Sequence, residues 1–136
     1  IQSQVLNLLA KIRNSYNLTM IFISHDLSVI EYFCDVVAVM YLGHIVEIAP
    51  VKELFSNPKH SYTKALLSAV PKVKSVNNNK IILKGDIPSP INPPSGCVFR
   101  TRCPHPTHDC KEGNIEMGLI EVSLGHWVDQ CCVNCG

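Results

Sequence analysis

Helical and strand-like patterns alternate at the start of the chain. Apolar residues recur at helical spacing over residues 1–14 and predict an amphipathic helix. The short apolar run at residues 18–23 predicts a strand that is covered on both faces. A second helix is expected over residues 27–33, with Asp26 at a position that suits an N-cap.

A second apolar run predicts a strand over residues 35–42 and a hairpin partner over residues 45–48. Gly43 is expected to be the first residue of a type II′ turn between them. Helix, strand, helix and strand in this order predict the end of a doubly wound α/β sheet. A sheet with so few strands buries little surface on its own, so the chain is interpreted as part of a larger unit.

The second half of the chain has a less regular pattern. Short helices are predicted over residues 51–56 and 61–70, a polar loop over 75–79 and a short strand over 81–84. Six of the nine prolines lie in residues 86–106, which predicts an ordered but irregular connection.

Composition excludes several classes of protein. The chain has 136 residues, a formal net charge of +1 and only 17% charged residues, which argues against disorder and against general nucleic-acid binding. No apolar run approaches the roughly 20 residues that span a bilayer, and no signal peptide is recognised. Residues 52–84 hold seven lysines, interpreted as a solvated surface. The first residue is Ile1, which favours a partial sequence.

His25 is the first candidate for chemistry. It follows the predicted strand at residues 18–23, at the edge where open α/β sheets place groups that contact ligands. Its imidazole can donate to an anionic oxygen or orient a water molecule. A histidine that only hydrogen-bonds to turn backbone explains the spacing as well.

Cysteine is the second candidate, since six of the seven cysteines lie at or after Cys97. Disulfides fit their density but need an oxidising compartment. Tetrahedral zinc, a [4Fe–4S] cluster and cysteines without a ligand all remain open from the spacing. Cys34 is interpreted as a small packed side chain, His105 and His108 as surface residues, and His60 as a turn or cap residue.

The chain resembles the ATP-binding subunits of ABC transporters in several segments. IFISHDL at residues 21–27 is similar to the strand and switch-histidine loop of these ATPases, and residues 1–9 are similar to the helix after their Walker B and D-loop segment. ELFSNPKHSYTKALL at residues 53–67 and GCVFRTRCP at residues 96–104 resemble the oligopeptide/dipeptide subfamily. That subfamily usually has Pro at the position of Ser61.

This resemblance implies a fold and a set of partners. Residues 1–50 would be the C-terminal part of a P-loop NTPase core, and residues 51–136 a peptide-transporter extension with a Pro-rich loop and a cysteine cluster. The whole protein would bind and hydrolyse ATP with Mg²⁺. It would lie peripherally on the cytoplasmic face of the membrane, with permease subunits, a second ATP-binding subunit and, indirectly, a solute-binding protein. No nucleic-acid partner is expected.

His25 is the residue of the family's nucleotide machinery that this sequence contains, and the resemblance assigns it catalytic and nucleotide-contacting roles. No phosphate-loop motif G-x-x-x-x-G-K-[ST], signature motif or Walker B acid occurs in the 136 residues. We therefore expect a C-terminal fragment that is inactive alone. The alternative is a non-enzymatic remnant or an accessory metal-binding module. The cargo, whether dipeptide, oligopeptide, nickel or another solute, is not specified.

The resemblance also implies a ligand set for the cysteine tail. Some subfamily members carry a four-cysteine iron–sulfur site, and Cys97, Cys103 and Cys110 match its first three positions. We choose Cys131 as the fourth ligand, with Cys132 and Cys135 as alternatives. The centre is expected to be structural, with zinc as the alternative metal. The preceding Trp127-Val128 pair is expected to anchor the tail on the domain.

Overall fold

The computed structural model describes residues 2–70 and 80–133. The predicted loop at residues 75–79 and the candidate ligand Cys135 lie outside these ranges. The helices are α1 (Gln2–Tyr16), α2 (Leu27–Phe33), α3 (Val51–Ser56), α4 (Ser61–Ser68), α5 (His108–Glu112) and α6 (Gln130–Val133). The strands are β1 (Val36–Tyr41), β2 (His44–Pro50), β3 (Leu119–Ser123) and β4 (His126–Asp129).

The four strands form one antiparallel sheet in the order β1-β2-β4-β3. The chain is thus a mixed α/β structure, but the parallel pairing of a doubly wound sheet is not seen in the described ranges. No strand forms at residues 18–23, which corrects the prediction. That segment has no neighbour in the sheet, and Ile21 and Ile23 are 93% and 92% exposed. An apolar run specifies a buried strand only when adjacent strands are present to cover it.

The β1–β2 hairpin forms as predicted, but its turn lies one residue earlier than expected. Leu42 and Gly43 have φ of 47° and 80°, so both central residues are left-handed as in a type I′ turn. The predicted II′ turn at Gly43-His44 is therefore wrong. The type I′ turn also makes β2 longer than predicted, because His44 already pairs with Tyr41.

A bulge in β2 places a carboxylate on the inner face of the sheet. Val39 pairs with Glu47 and Met40 pairs with Ile45, so Val46 is the extra residue of the bulge. Both Val46 and Glu47 are fully buried. The bulge therefore explains why a strand of alternating pattern buries two consecutive side chains.

Local signals account for the helices near the start of the chain. Helix α2 has the predicted bounds, and the Asp26 carboxylate accepts from the backbone N–H of Ser28 at 3.0 Å. Helix α3 also has the predicted bounds, while α4 ends at Ser68, two residues early.

The predicted strand at residues 81–84 does not form, and residues 86–106 are irregular as expected.

The core lies between the inner face of the sheet and the segment around Phe99. Phe99 is fully buried, and its ring lies 5.2 Å from that of Tyr41 on β1 and 5.6 Å from that of Tyr62 on α4. The irregular connection that carries Phe99 therefore packs on the sheet through an aromatic cluster. Among the described residues, no helix combines the length and the apolar character needed to cross a bilayer.

The Glu47 carboxylate joins three parts of the chain inside this core. Its Oε1 accepts from the backbone N–H of Lys59 at 2.7 Å, and its Oε2 accepts from that of His60 at 3.1 Å. His126 Nε2 on β4 lies 2.7 Å from Oε1, and both side chains are fully buried. Because each partner loses water on folding, each depends on this carboxylate for compensation.

We predict that Glu47→Ala lowers the free energy of unfolding by about 3 to 5 kcal/mol, because it removes the partner of the buried His126 side chain and of the backbone N–H groups of Lys59 and His60. Denaturant titration followed by circular dichroism measures this change. Glu31→Ala removes an exposed carboxylate from α2 and is expected to change the value by less than about 0.5 kcal/mol. A Glu47→Ala effect as small as that of Glu31→Ala would contradict the assignment.

Candidate functional site

Two cysteines and an aspartate lie close together at the point where β4 leads into α6. The Sγ atoms of Cys97 and Cys131 and a carboxylate oxygen of Asp129 all lie within 4.8 Å of one another. The three residues are only 3%, 2% and 3% exposed. Cys97 comes from the irregular Pro-rich connection, whereas Asp129 ends β4 and Cys131 lies in α6. The sheet therefore brings together groups more than thirty residues apart in sequence.

The other predicted ligands lie beside this group. The thiol of Cys103 interacts electrostatically with those of Cys97 and Cys110. Cys110 is buried in α5, and Cys132 Sγ lies 3.8 Å from Cys131 Sγ. All six described cysteines keep their thiols, since no S–S bond joins any two of them. The structure thus brings Cys97 and Cys131 together with Asp129, and Cys132 lies beside Cys131.

Contacts among the thiols change their acidity. A hydrogen bond with Cys131 and then burial raise the pKa of Cys97, while the His60 side chain lowers it. A hydrogen bond with Cys132 raises the pKa of Cys131, and burial adds to that rise. Burial raises the pKa of Cys103 as well. In the metal-free protein these shifts favour the neutral thiols, and Cys131 is hydrogen-bonded with Cys97 and Cys132.

Two glycines let the loops that carry Cys97 and Cys110 touch through their backbones. Gly96 has φ +64° and Gly113 has φ +73°, both in the left-handed region. A Cβ on Gly96 would lie 3.0 Å from the carbonyl oxygen of Gly113, and a Cβ on Gly113 would lie 2.2 Å from Ser95 Oγ. The contact leaves no room for a side chain at either position.

Sequence reasoning missed Asp129. Its Oδ2 is buried without a hydrogen-bond partner in the described ranges, and burial raises its pKa to about 6, with His60 and His44 opposing the rise. The sequence feature that could have indicated Asp129 is the position of this acidic residue just before the last group of cysteines. His60 was predicted to be a turn or cap residue, and it is the N-cap of α4, with Nδ1 accepting from Tyr62 N–H at 3.1 Å.

The donor set fits a metal centre. Soft sulfur donors at a buried site suit zinc or an iron–sulfur cluster, and both replace thiol protons with a cation. Asp129 Oδ2, which has no hydrogen-bond partner among the described residues, adds an oxygen whose negative charge a bound cation would compensate. Cys97, Cys103, Cys110 and Cys131 would hold the group, and the group would supply a covalent cross-link between the connection and the tail.

His25 lies apart from the cysteines, in the turn between the extended segment at residues 18–23 and α2. It is exposed, and the next residue, Asp26, caps α2. Ser24 Oγ accepts from Asp26 N–H at 3.0 Å, and this hydrogen bond joins the two residues that flank His25 in the turn. The structure places His25 where a ligand can reach it.

The remaining sequence hypotheses have mixed outcomes. His105 and His108 are exposed, as predicted for surface residues. Cys34 is half-buried against the core, and burial raises its pKa, as expected for a packed thiol. Val128 is buried and pairs with Glu47, so the tail is anchored there, whereas Trp127 is 39% exposed.

We predict that Gly113→Ala destabilises the chain by about 2 kcal/mol or more, because alanine is strained at positive φ and its Cβ meets Ser95. Gly118→Ala is the matched control, since a Cβ there meets nothing within 4 Å. Thermal unfolding of both variants measures the effect. Equal stability of the two variants would rule out a required backbone contact between the cysteine loops.

Comparisons with known proteins agree with the motifs. The family model for the C-terminal region of oligopeptide/dipeptide transporters matches residues 46–110. The oligopeptide transport ATP-binding proteins AppF of Bacillus subtilis and OppF of Salmonella typhimurium are each 53% identical to the chain over 131 residues, 94% of its length. A Brucella ovis protein named for peptide import and ATP binding is 53% identical over 128 residues, 93% of the chain.

The chain spans only part of these curated relatives. The matched region makes up 40% of the Brucella ovis protein, 39% of AppF and 38% of OppF. The family match nevertheless includes Glu47, Phe99 and the three cysteines Cys97, Cys103 and Cys110. Residues 46–110 of this chain are therefore similar to the C-terminal region of oligopeptide/dipeptide transporters.

Proposed function

We propose that the chain is the C-terminal part of the ATP-binding subunit of an ABC importer for oligopeptides or dipeptides. The similarity to ATP-binding proteins over more than nine-tenths of the chain carries this proposal. In the complete protein, residues 1–50 would extend a P-loop NTPase core. Two such subunits, identical or different, would act with permease subunits at the cytoplasmic face of the membrane, and a solute-binding protein would deliver the cargo.

His25 is the proposed catalytic and nucleotide-contacting residue. Its exposed imidazole, held by the capped start of α2, suits a donor to the terminal phosphate of ATP and a guide for the attacking water. The phosphate loop and the Mg²⁺ ligands of the family have no counterpart in these 136 residues. The histidine therefore needs the rest of an ATPase core to act.

The cysteine tail is the proposed metal centre, with Cys97, Cys103, Cys110 and Cys131 as ligands. We favour a [4Fe–4S] cluster with a structural role and keep zinc as the alternative. The burial of Cys97 and Cys131 beside each other supports this ligand set over one with Cys132 in the fourth place. A cross-link is useful here, because residues 86–106 form no helix or strand that would hold the connection.

A chimera tests the role of His25. We predict that AppF with its corresponding region replaced by this chain hydrolyses ATP, and that His25→Ala in the chimera lowers kcat by about 100-fold or more, through loss of water and phosphate positioning. Phosphate release measures the rate. His108→Ala, which removes a surface histidine, is the matched control and is expected to keep full turnover.

Two results would contradict the proposal for His25. One is a folded, ATP-binding chimera in which His25→Ala turns over at the rate of the parent. The other is ATP hydrolysis above background by the 136-residue chain alone that His25→Ala abolishes. If the chimera binds metal but no nucleotide, the alternative function, an accessory metal-binding module, is favoured instead.

Metal analysis tests the ligand set. We predict that Cys103→Ser lowers the metal content of anaerobically purified chain at least about tenfold, since hard oxygen replaces one of four thiolates. Cys34→Ser is the matched control, because Cys34 packs against the core as an ordinary side chain. Mass spectrometry of bound iron and zinc measures both variants. Equal metal content in the two would remove Cys103 from the centre.

A further inference from the structure

We propose that Asp129 is a direct metal ligand, whose carboxylate forms a site for one divalent cation together with the thiolates of Cys97 and Cys131. This inference rests on the proposed metal centre and deepens it, because it adds an oxygen donor and a second kind of occupant. The four-cysteine ligand set does not include Asp129. A single ion bound by these three residues is therefore a separate way of filling the same site, which the chain adopts when no cluster is assembled.

The three donor atoms already lie nearly close enough to share one ion. The Sγ atoms of Cys97 and Cys131 and a carboxylate oxygen of Asp129 are all within 4.8 Å of one another. A tetrahedral zinc ion keeps sulfur at about 2.3 Å and oxygen at about 2.0 Å, so its ligand atoms lie about 3.5 to 3.8 Å apart. Side-chain rotations that shorten the distances between the donor atoms by about 1 Å therefore complete the site.

The Asp129 carboxylate is buried with one oxygen atom unpartnered. The residue is 3% exposed, and its Oδ2 has no hydrogen-bond partner among the described residues. The carboxylate of Glu47 is also buried, but it accepts from the N–H groups of Lys59 and His60 and lies beside His126. A buried carboxylate that lacks such partners costs free energy, and coordination of a cation removes that cost. The contrast with Glu47 therefore points to a ligand at Asp129.

Backbone hydrogen bonds hold the donors in place before an ion binds. Cys97 lies in the irregular connection, where its carbonyl oxygen accepts from the backbone N–H of Arg100 at 3.0 Å. Asp129 pairs with Leu119 at the end of β4, and Cys131 follows two residues later in α6. An ion bound to all three side chains therefore joins the irregular connection to the end of the sheet.

The donor set selects the kind of ion. Two thiolates and one carboxylate suit borderline-soft divalent cations such as Zn²⁺ and Co²⁺, whereas Mg²⁺ and Ca²⁺ prefer oxygen ligands. Binding releases the protons of the two thiols, and the negative charges that result compensate the charge of the cation. A [4Fe–4S] cluster takes four thiolates, so it leaves no place for the carboxylate. Asp129 therefore favours a single ion, with a water molecule or a further thiolate as the fourth ligand.

Cobalt binding tests whether Asp129 is a ligand. Co²⁺ adopts the tetrahedral geometry of zinc, and its bonds to thiolates absorb light, so one titration reports both the affinity and the thiolate content. We expect the reduced, chelator-treated chain to bind one Co²⁺. Asp129→Asn keeps the size of the side chain and is expected to bind Co²⁺ at least about tenfold more weakly, a loss at least as large as that for groups behind a ligand. Asp86→Asn is the matched control, because Asp86 is exposed, and should bind Co²⁺ like the parent.

A second variant separates ligation from packing. Asp129→Cys places a sulfur atom where the carboxylate lies. If position 129 faces the ion, the thiolate-to-cobalt absorbance per bound Co²⁺ rises above that of the parent, because one more thiolate binds. Circular dichroism of each variant shows whether it is folded.

The outcomes distinguish this inference from the four-cysteine centre. Equal Co²⁺ affinities in the parent and a folded Asp129→Asn variant, or equal absorbance per ion in the parent and Asp129→Cys, would overturn the role of Asp129. If Asp129→Asn does not fold, the Asp129→Cys absorbance decides. A parent that binds no Co²⁺ would overturn the single-ion site. Iron reconstitution that still yields a cluster would then leave the four-cysteine centre in place, whereas a parent that binds no cobalt, zinc or iron would overturn both.

Discussion

The Glu47 carboxylate on β2 is buried against the turn before α4 and against β4, and it accepts hydrogen bonds from both. Its partners are the backbone N–H groups of Lys59 and His60 and the Nε2 atom of His126. A bulge turns Glu47 inward, so a single irregularity in β2 determines where the turn and β4 attach. An unpaired carboxylate in this position would oppose folding, which makes the network cooperative.

The arrangement of the cysteine tail follows from this network. His60, fixed at its backbone by Glu47, packs its ring on Phe99, which lies two residues after Cys97. His126, fixed at its side chain, holds β4 in register, and β4 ends at Asp129, directly before the helix with Cys131. The Glu47 carboxylate thus positions both the segment with Cys97 and the segment with Asp129 and Cys131, although Glu47 itself is not part of the candidate metal centre.

Much of the local structure could be predicted, because its causes are local. Asp26 caps α2, and Asn57 and Pro58 stop α3, so both helices have the expected bounds. The failures are non-local. Residues 18–23 have the pattern of a buried strand but lack neighbours in the described ranges that would pair with them. Strand β4, which carries β3 at its other edge, joins the sheet through Glu47↔Val128 and Ile48↔Trp127, residues far apart in the sequence. Likewise the cysteines were chosen by motif, whereas the position of Asp129 beside Cys97 and Cys131 follows only from three-dimensional packing.

X-ray absorption at the iron and zinc edges of the anaerobically purified chain would show whether the thiols of Cys97, Cys103, Cys110 and Cys131 bind one metal centre. We predict bound metal surrounded by sulfur at about 2.3 Å, with no more than one lighter ligand. A first shell made of nitrogen and oxygen, or a folded chain with no bound metal, would contradict it.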